Sequence, residues 1–164
     1  MTILAYPDDL IRRVLDETRT IAMVGASANW VRPSNFAMKY LQQKGYRIIP
    51  VNPVSVGQEI HGETCYASLG EIPDAFEMVD IFRRSEDAGA IVDEAIALKD
   101  TKDIRTVWLQ IDVMDHAAAD RARANGLTVI MDRCPKIEYG RLNHELSWAG
   151  INTGVISSKR PRLR

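Results

Sequence analysis

The sequence has few of the residues that mark disulfide-rich, metal-binding or membrane-spanning proteins. Two cysteines, Cys65 and Cys134, lie far apart and form no CxxC pair, which disfavours a disulfide framework or a zinc site. The three histidines are scattered, and Trp148 stands where an HExxH motif beginning at His144 needs its second histidine. No apolar run approaches the roughly 18 residues of a membrane-spanning helix. We therefore predict no metal ion and no membrane partner.

An excess of charge of either sign is also lacking, because 21 Lys and Arg oppose 22 Asp and Glu for a formal net charge of −1. This balance disfavours a nucleic-acid partner that is bound through bulk charge. Residues 151–164 end in the basic run KRPRLR, which we interpret as a solvated tail. The first residues lack the apolar stretch of a signal peptide, so we expect a cytoplasmic protein.

Alternating strand and helix patterns run along the chain, whose 164 residues suit a single domain. Apolar runs typical of strands buried on both faces are found at 21–25, 46–51, 78–82, 107–111 and 127–131. Helical spacing is found at 7–18, 34–44 and 115–125, with further helices beginning at Ser85 and Pro135. This order predicts an α/β fold: a Rossmann-like, doubly wound, parallel five-stranded sheet with helices on both faces. We divide the chain into an N-terminal helix (1–19), the Rossmann-like domain (20–150) and the tail (151–164).

The segment after the first strand has the composition of a phosphate-binding loop. A glycine and small residues let an anion approach the backbone, and a following helix offers unpaired amides and a positive dipole end. An arginine in the loop can pair with phosphate. The candidate residues are Gly25, Ala26, Ser27, Arg32, Pro33 and Ser34. An ordinary strand-to-helix turn is the alternative, but ligands of doubly wound folds bind at this edge of the sheet.

The NAD fingerprint is incomplete in this loop. Ser27 and Trp30 stand where the G-x-G-x-x-G pattern has glycines, and Asn52 stands where an acid would bind the ribose diol. We find no candidate acid or base for hydride transfer. A nucleotide other than NAD is therefore the favoured ligand, with an NAD(P)-type oxidoreductase as the alternative.

Six segments occur in the order found in a family of small CoA-binding proteins. They are VGAS (24–27), RPS (32–34), GYRIIPVNP (45–53), VDIFRRS (79–85), WLQ (108–110) and DRCP (132–135). On these segments the region from Thr20 to Leu142 resembles the stand-alone CoA-binding proteins, which are similar to the CoA-binding domain of the succinyl-CoA synthetase alpha subunit. The resemblance implies that coenzyme A or an acyl-CoA is held by its 3′-phospho-ADP part, with the pantetheine arm running over the sheet edge.

The resemblance also implies roles for residues at the other strand ends. Arg83 would supply a cation for the additional phosphate, Asn52 and Pro53 would flank the adenosine, and Gln110 would hydrogen-bond the ligand. Phe82 would either stack on adenine or pack in the core. The family has a glycine near the position of Asp112, where a carboxylate would repel a phosphate.

Cys134 directly precedes Pro135 at a predicted helix start and has Arg133 and Lys136 as neighbours. A helix N-terminus and adjacent cations lower the pKa of a thiol, so we expect Cys134 to be partly ionised near neutral pH. It would then meet the coenzyme A thiol and form a mixed disulfide under oxidation. The alternative is a buried, inert cysteine.

Two classes of function remain once an oxidoreductase is disfavoured. The first is a CoA-binding protein without catalysis of its own, and the second is a ligase-like subunit that needs a partner chain. The resemblance implies that such a ligase carries a phosphorylated histidine in a second domain, and the histidines of this chain lie outside any matching motif. We therefore expect a binding protein, and a partner protein is left open.

Overall fold

Five parallel strands form the central sheet of the computed structural model, which describes residues 4–145. The strands of this sheet are β1 (Thr20–Val24), β2 (Arg47–Val51), β5 (Met78–Ile81), β6 (Thr106–Leu109) and β7 (Thr128–Ile130). The strands β3 (Glu59–Ile60) and β4 (Glu63–Thr64) form a separate antiparallel hairpin. The helices are α1 (Asp8–Glu17), α2 (Pro33–Gln43), α3 (Ser85–Lys102), α4 (His116–Ala124) and α5 (Pro135–Leu142).

The strand order of the main sheet is β2-β1-β5-β6-β7. The chain first moves outward from β1 to β2 and then returns to build β5, β6 and β7 on the other side of β1. The order therefore reverses between β1 and β5, where the loops that follow these strands part and leave room for a ligand. The expected Rossmann-like, doubly wound fold is confirmed.

Apolar side chains cover both faces of the sheet, because successive residues of a strand point to opposite sides. One face packs against α3 and α4, whose contact residues include the small side chains of Ala88, Ala95, Ala118 and Ala122. The other face packs against α1, α2 and α5. Strands covered on both sides read as continuous apolar runs. This is why the five strands are recognisable in the sequence to within two residues at each end.

The segment between β2 and β5 departs from the sequence-based expectation, which assigned it no regular structure. It contains the hairpin and two short 3₁₀ helices, Pro53–Ser55 and Leu69–Glu71.

The N-terminal helix α1 lies against the domain, where the Tyr46 hydroxyl donates a hydrogen bond to the Leu15 carbonyl over 2.7 Å. The division of the chain into three parts stays a prediction, and the basic tail lies outside the described residues. No helix within residues 4–145 is long and apolar enough to cross a membrane.

Gly25 joins the ends of three strands. Its amide donates to the Val51 carbonyl of β2 over 2.8 Å, and its backbone has a φ of +87°. A Cβ atom at this position would overlap the carbonyl oxygen of Phe82, which follows β5. Only glycine combines this conformation with this close approach. The packing of the strand ends therefore requires Gly25 whether or not an anion approaches it.

We expect Gly25→Ala to lower the free energy of unfolding well beyond the conformational cost of a positive φ, which is about 1–2 kcal/mol. Overlap with a backbone carbonyl adds about 1–3 kcal/mol, since neither atom is on a flexible side chain. Gly126→Ala is the matched control, because Gly126 has a φ of +85° and open space around its Cα. Urea denaturation of the two variants measures the difference, and equal losses of stability would contradict the packing argument.

Candidate functional site

Two asparagine side chains hold the loop between β1 and α2 in place. The Asn52 amide nitrogen donates to the Ala26 carbonyl over 2.9 Å, and the Asn35 amide nitrogen donates to the Ser27 carbonyl over 2.9 Å. The His61 ring nitrogen lies 2.8 Å from the Asn35 side-chain oxygen. In the bonds from Asn52 and Asn35, the side-chain amides bind the backbone carbonyl oxygens of Ala26 and Ser27. The loop is therefore a fixed element rather than a loose connection.

Unpaired backbone amides line this loop. Among residues 4–145, no hydrogen bond uses the amide of Ala26, Ser27 or Ser34. Ser34 belongs to the first turn of α2, and Pro33 begins this helix without a side-chain cap. Unpaired amides at a helix N-terminus attract anions. The loop thus offers donors that a phosphate group would satisfy.

Arg32 is exposed, and none of the acidic side chains described in residues 4–145 pairs with it. Arg83 and Arg84, in contrast, both form ion pairs with Asp87, at 3.6 Å and 3.3 Å. An arginine without an acidic neighbour can bind an incoming phosphate without first breaking an ion pair. Of the two arginines named from the sequence, Arg32 is therefore better able than Arg83 to bind a phosphate.

A cleft of about 250 Å³ opens at the carboxyl ends of β1 and β2, beside α3. It brings together three residues named from the sequence, Gly25, Pro53 and Arg83. It also contains two carboxylates that the sequence did not single out, Asp87 and Glu94. These acids disfavour a phosphate deep in the cleft and favour hydroxyl or amino donors. The anion loop and the cleft are thus neighbouring parts with different chemistry.

The remaining residues named from the sequence lie in other environments. Asn52 is nearly buried, and its side-chain oxygen accepts from the Val54 amide, so both of its polar atoms are already engaged. Phe82 is half-buried and packs against the core on the α1, α2 and α5 face, which favours its reading as a core residue. Gln110 and Cys134 are buried away from the cleft. Of the residues named from the sequence, the structure therefore brings Gly25, Pro53 and Arg83 together at the cleft. The other loop residues follow Gly25 along the chain and do not line the cleft: Ala26, Ser27, Arg32, Pro33 and Ser34.

Asp112 has a φ of +66°, in the left-handed region that favours glycine. The family glycine expected near this position is explained by this backbone conformation. The Asp112 amide donates to the Asp132 carboxylate over 2.8 Å, and its carbonyl accepts from the Ser85 hydroxyl over 3.3 Å. These bonds hold the turn after β6 against the two neighbouring strand ends without a glycine.

Asp80 is a fully buried acid in the middle of the sheet. One carboxylate oxygen accepts from the Gln110 amide nitrogen over 2.9 Å, and the other has no hydrogen-bonding partner among the described residues. Burial raises the pKa of Asp80 to about 7, and the Gln110 hydrogen bond opposes this only in part. Asp80 belongs to the segment VDIFRRS of the family pattern, and no role was predicted for it. The sequence signal that could have identified this residue is an acid within the apolar strand segment MVDI, whose residues are all buried.

The expectation of an ionised Cys134 is wrong. Burial raises the pKa of the Cys134 thiol to about 12, and the charge of Asp80 raises it further, while hydrogen bonds from the α5 amides and Gln110 lower it too little to compensate. The expected cations are also engaged elsewhere. The Arg133 guanidinium donates to the carbonyls of Leu4 and Asp132 and lies over the Tyr6 ring.

Within residues 4–145, no cluster of three His, Cys, Asp or Glu side chains has metal-binding geometry.

A doubly wound parallel sheet with a glycine loop and a cleft at its switch point defines a Rossmann-like α/β protein. Residues 19–140 match the family model described as CoA binding domain, and the chain belongs to this family. It is similar to the uncharacterized protein YneT of Bacillus subtilis strain 168, with 34% identity over 129 residues that cover 79% of this chain and 91% of YneT.

Two solved structures extend the comparison. A hypothetical protein from Pyrococcus horikoshii OT3 is 35% identical and superimposes with a TM-score of 0.78 over 87% of this chain and 99% of its own. A dinucleotide-forming acetyl-coenzyme A synthetase from Ca. Korarchaeum cryptofilum is 19% identical, with a TM-score of 0.57 over 70% of this chain and 26% of its own. The second likeness shows the shared fold alone.

The buried carboxyl of Asp80 predicts an unusual pH dependence of stability. Its pKa is higher in the folded protein than in the unfolded chain, so the folded state binds the proton more tightly between about pH 4 and pH 7. The stability that Asp80 contributes is therefore lost as the pH rises through this range. We expect Asp80→Asn to be more stable than the wild type at pH 8 by about 1–4 kcal/mol, with the gap closing toward pH 4. Urea denaturation at several pH values measures it.

Asp120→Asn is the control for this prediction, because Asp120 is highly exposed and its ion pair within the described residues is a surface contact with Arg123 at 3.6 Å. Its effect on stability should be small at every pH. A wild type that matches Asp80→Asn at pH 8 would show that the buried carboxyl carries no charge penalty.

Proposed function

We propose that this protein binds coenzyme A through its 3′-phospho-ADP part and has no catalytic activity of its own. The observation that supports this most strongly is the loop between β1 and α2, which starts at Gly25 in the cleft wall and has backbone amides and an Arg32 side chain without partners among residues 4–145. A pyrophosphate needs several amide donors and at least one cation, and this loop offers both. The family of the chain agrees with this ligand.

In this proposal the pyrophosphate lies along the loop and the adenosine occupies the cleft. The cleft has an apolar floor formed by Val24, Val51 and Ile91, which suits a base. Asp87 and Glu94 would accept hydrogen bonds from ribose hydroxyls or the adenine amino group. Arg83 lines the same cleft, and a 3′-phosphate would compete with Asp87 for its guanidinium. Each part of the ligand thus meets a matching part of the site.

The alternative is a ligase-like subunit that works with a partner chain. This alternative is considered because the chain shares its fold with part of a longer acetyl-coenzyme A synthetase. An acyl-CoA synthesis assay with the protein alone, and with a candidate partner subunit, separates the two. Activity that appears only with the partner supports the subunit, and activity of the protein alone contradicts the proposal.

The mixed disulfide between Cys134 and coenzyme A stays a prediction. Cys134 is buried at the start of α5, away from the cleft, so an adduct requires this part of the protein to open and expose the thiol first. Incubation with the disulfide of coenzyme A, followed by mass spectrometry with and without reductant, tests the adduct. A Cys134→Ser variant identifies the attachment site, since Cys65 is the other thiol.

Ligand choice is tested by the thermal stabilisation of purified protein. We expect coenzyme A to raise the melting temperature most and dephospho-coenzyme A less, because the latter lacks the 3′-phosphate that Arg83 would bind. NAD and ATP should stabilise least at equal concentration. A larger shift with NAD would instead favour an oxidoreductase, and equal shifts with all four ligands would contradict selective binding of coenzyme A.

We expect Arg32→Ala to weaken coenzyme A binding by about 1.5–3 kcal/mol, the value of a hydrogen bond to a charged group. This corresponds to an increase in Kd of about 10- to 150-fold, measurable by isothermal titration calorimetry. Arg105→Ala is the matched control, since Arg105 is exposed and precedes β6 at the opposite edge of the sheet. If both variants bind equally well, Arg32 does not contact the ligand.

A further inference from the structure

The candidate anion loop is held by two asparagines at two consecutive peptide units. The Asn52 side chain binds the Ala26 carbonyl over 2.9 Å. The Asn35 side chain binds the Ser27 carbonyl, also over 2.9 Å. The C=O and N–H groups of a trans peptide point in opposite directions, so a bond that fixes a carbonyl also fixes the amide of the following residue. The two bonds thereby orient the amides of Ser27 and Ala28, and neither amide has a hydrogen-bonding partner among residues 4–145.

The bond from Asn35 depends on a further residue, His61, in the turn of the β3–β4 hairpin. The Nε2 atom of His61 lies 2.8 Å from the Asn35 side-chain oxygen. The Asn35 nitrogen faces the Ser27 carbonyl, because the reversed amide would place two oxygens 2.9 Å apart. An amide oxygen only accepts hydrogen bonds, so the Nε2 atom of His61 carries a hydrogen and donates it. Asn35 is 5% exposed, so water has little access to its oxygen as a substitute donor.

The backbone of the hairpin turn gives a second reason to examine His61. His61 and Gly62 form the two-residue turn between β3 and β4, with φ angles of +47° and +84°. Two-residue turns with two positive φ angles strongly favour asparagine, aspartate or glycine at the first position. A histidine stands there instead, and its ring reaches α2. The residue at this position therefore matches the contact with Asn35 rather than the commonest sequence of the turn.

We propose that His61 is a positioning residue of the candidate anion loop. Its ring N–H holds the Asn35 side chain, and Asn35 holds the peptide between Ser27 and Ala28 with its N–H directed to the ligand. This role rests on the proposed function, because it makes the β3–β4 hairpin a part of the same site. His61 is exposed and does not line the cleft, so it acts through Asn35 and not by contact with the ligand.

Two substitutions of His61 separate its contact with Asn35 from its place in the turn. In His61→Gln the amide nitrogen stands as many bonds from Cβ as Nε2 does, so it can still donate to Asn35. In His61→Asn the amide nitrogen stands one bond nearer to the backbone and does not reach Asn35, whereas the resulting Asn-Gly sequence suits the turn. The proposed role predicts that glutamine replaces histidine better. A role in the turn alone predicts that asparagine does.

Isothermal titration calorimetry with coenzyme A measures the affinity of each variant. We expect His61→Asn to raise the Kd about two- to tenfold, the equivalent of one neutral hydrogen bond, without loss of stability in urea. His61→Gln should bind coenzyme A as tightly as the wild type. Gln42→Ala is the matched control, because Gln42 ties α2 to the hairpin through the His61 carbonyl, over 3.2 Å, and does not touch Asn35. Its Kd should equal that of the wild type.

Hydrogen exchange of the Asn35 side-chain amide, followed by NMR on the protein without ligand, gives a second readout. We expect this exchange to be faster in His61→Asn than in the wild type and unchanged in His61→Gln, because a held amide exchanges slowly. If the wild type binds no coenzyme A, the proposed function fails. The exchange rates then still decide whether the ring of His61 holds the Asn35 side chain.

Three results overturn the proposal. Equal affinities of the wild type and His61→Asn, or equal exchange rates at Asn35, mean that the loop does not depend on the ring. If His61→Asn binds more weakly than the wild type and His61→Gln binds no better, the donor at the Nε2 position is not what the loop requires. A weakening by Gln42→Ala as large as that by His61→Asn means that the position of the whole hairpin matters, and not the histidine ring.

Discussion

The contact between Gly25 and the ends of β2 and β5 is the constraint on which the candidate site depends. Its amide bonds to Val51 and its Cα lies against the Phe82 carbonyl, so three strand ends meet at one residue. The loop that follows must then leave the sheet at the point where the strand order reverses. A single missing side chain thereby fixes both the junction of the strands and the place where the loop and the cleft open.

The loop and the cleft have opposite electrostatic character. Unpaired amides and Arg32 make the loop attractive to anions, while Asp87 and Glu94 make the cleft suitable for neutral donors. The net charge of the chain is close to zero, so the ligand selection that we propose would rest on this local arrangement rather than on a general electrostatic field. Arg83 lines the same cleft and forms an ion pair with Asp87 there, at 3.6 Å.

Asp80 and Cys134 show how burial changes the chemistry that residue types suggest. A cysteine at a helix start with basic neighbours has the sequence of a reactive thiol, yet desolvation and a buried carboxylate raise its pKa instead. The helix amides do lower the pKa as expected, but their effect is smaller than that of burial. The basic neighbours at 133 and 136 do not lower the pKa of the thiol below its usual value, because burial and the charge of Asp80, a residue distant along the chain, both raise it.

The sequence by itself determined the fold, the strand positions and the loop at the switch point, because strands covered on both faces need continuous apolar runs and turns need glycine and proline. It also carried the family pattern on which the ligand is inferred. Only the tertiary structure decided that Asn52 braces the loop, that Asp87 and Glu94 enter the cleft, and that Cys134 is protonated. These properties depend on burial and on contacts between distant segments, and local patterns of residues do not encode either.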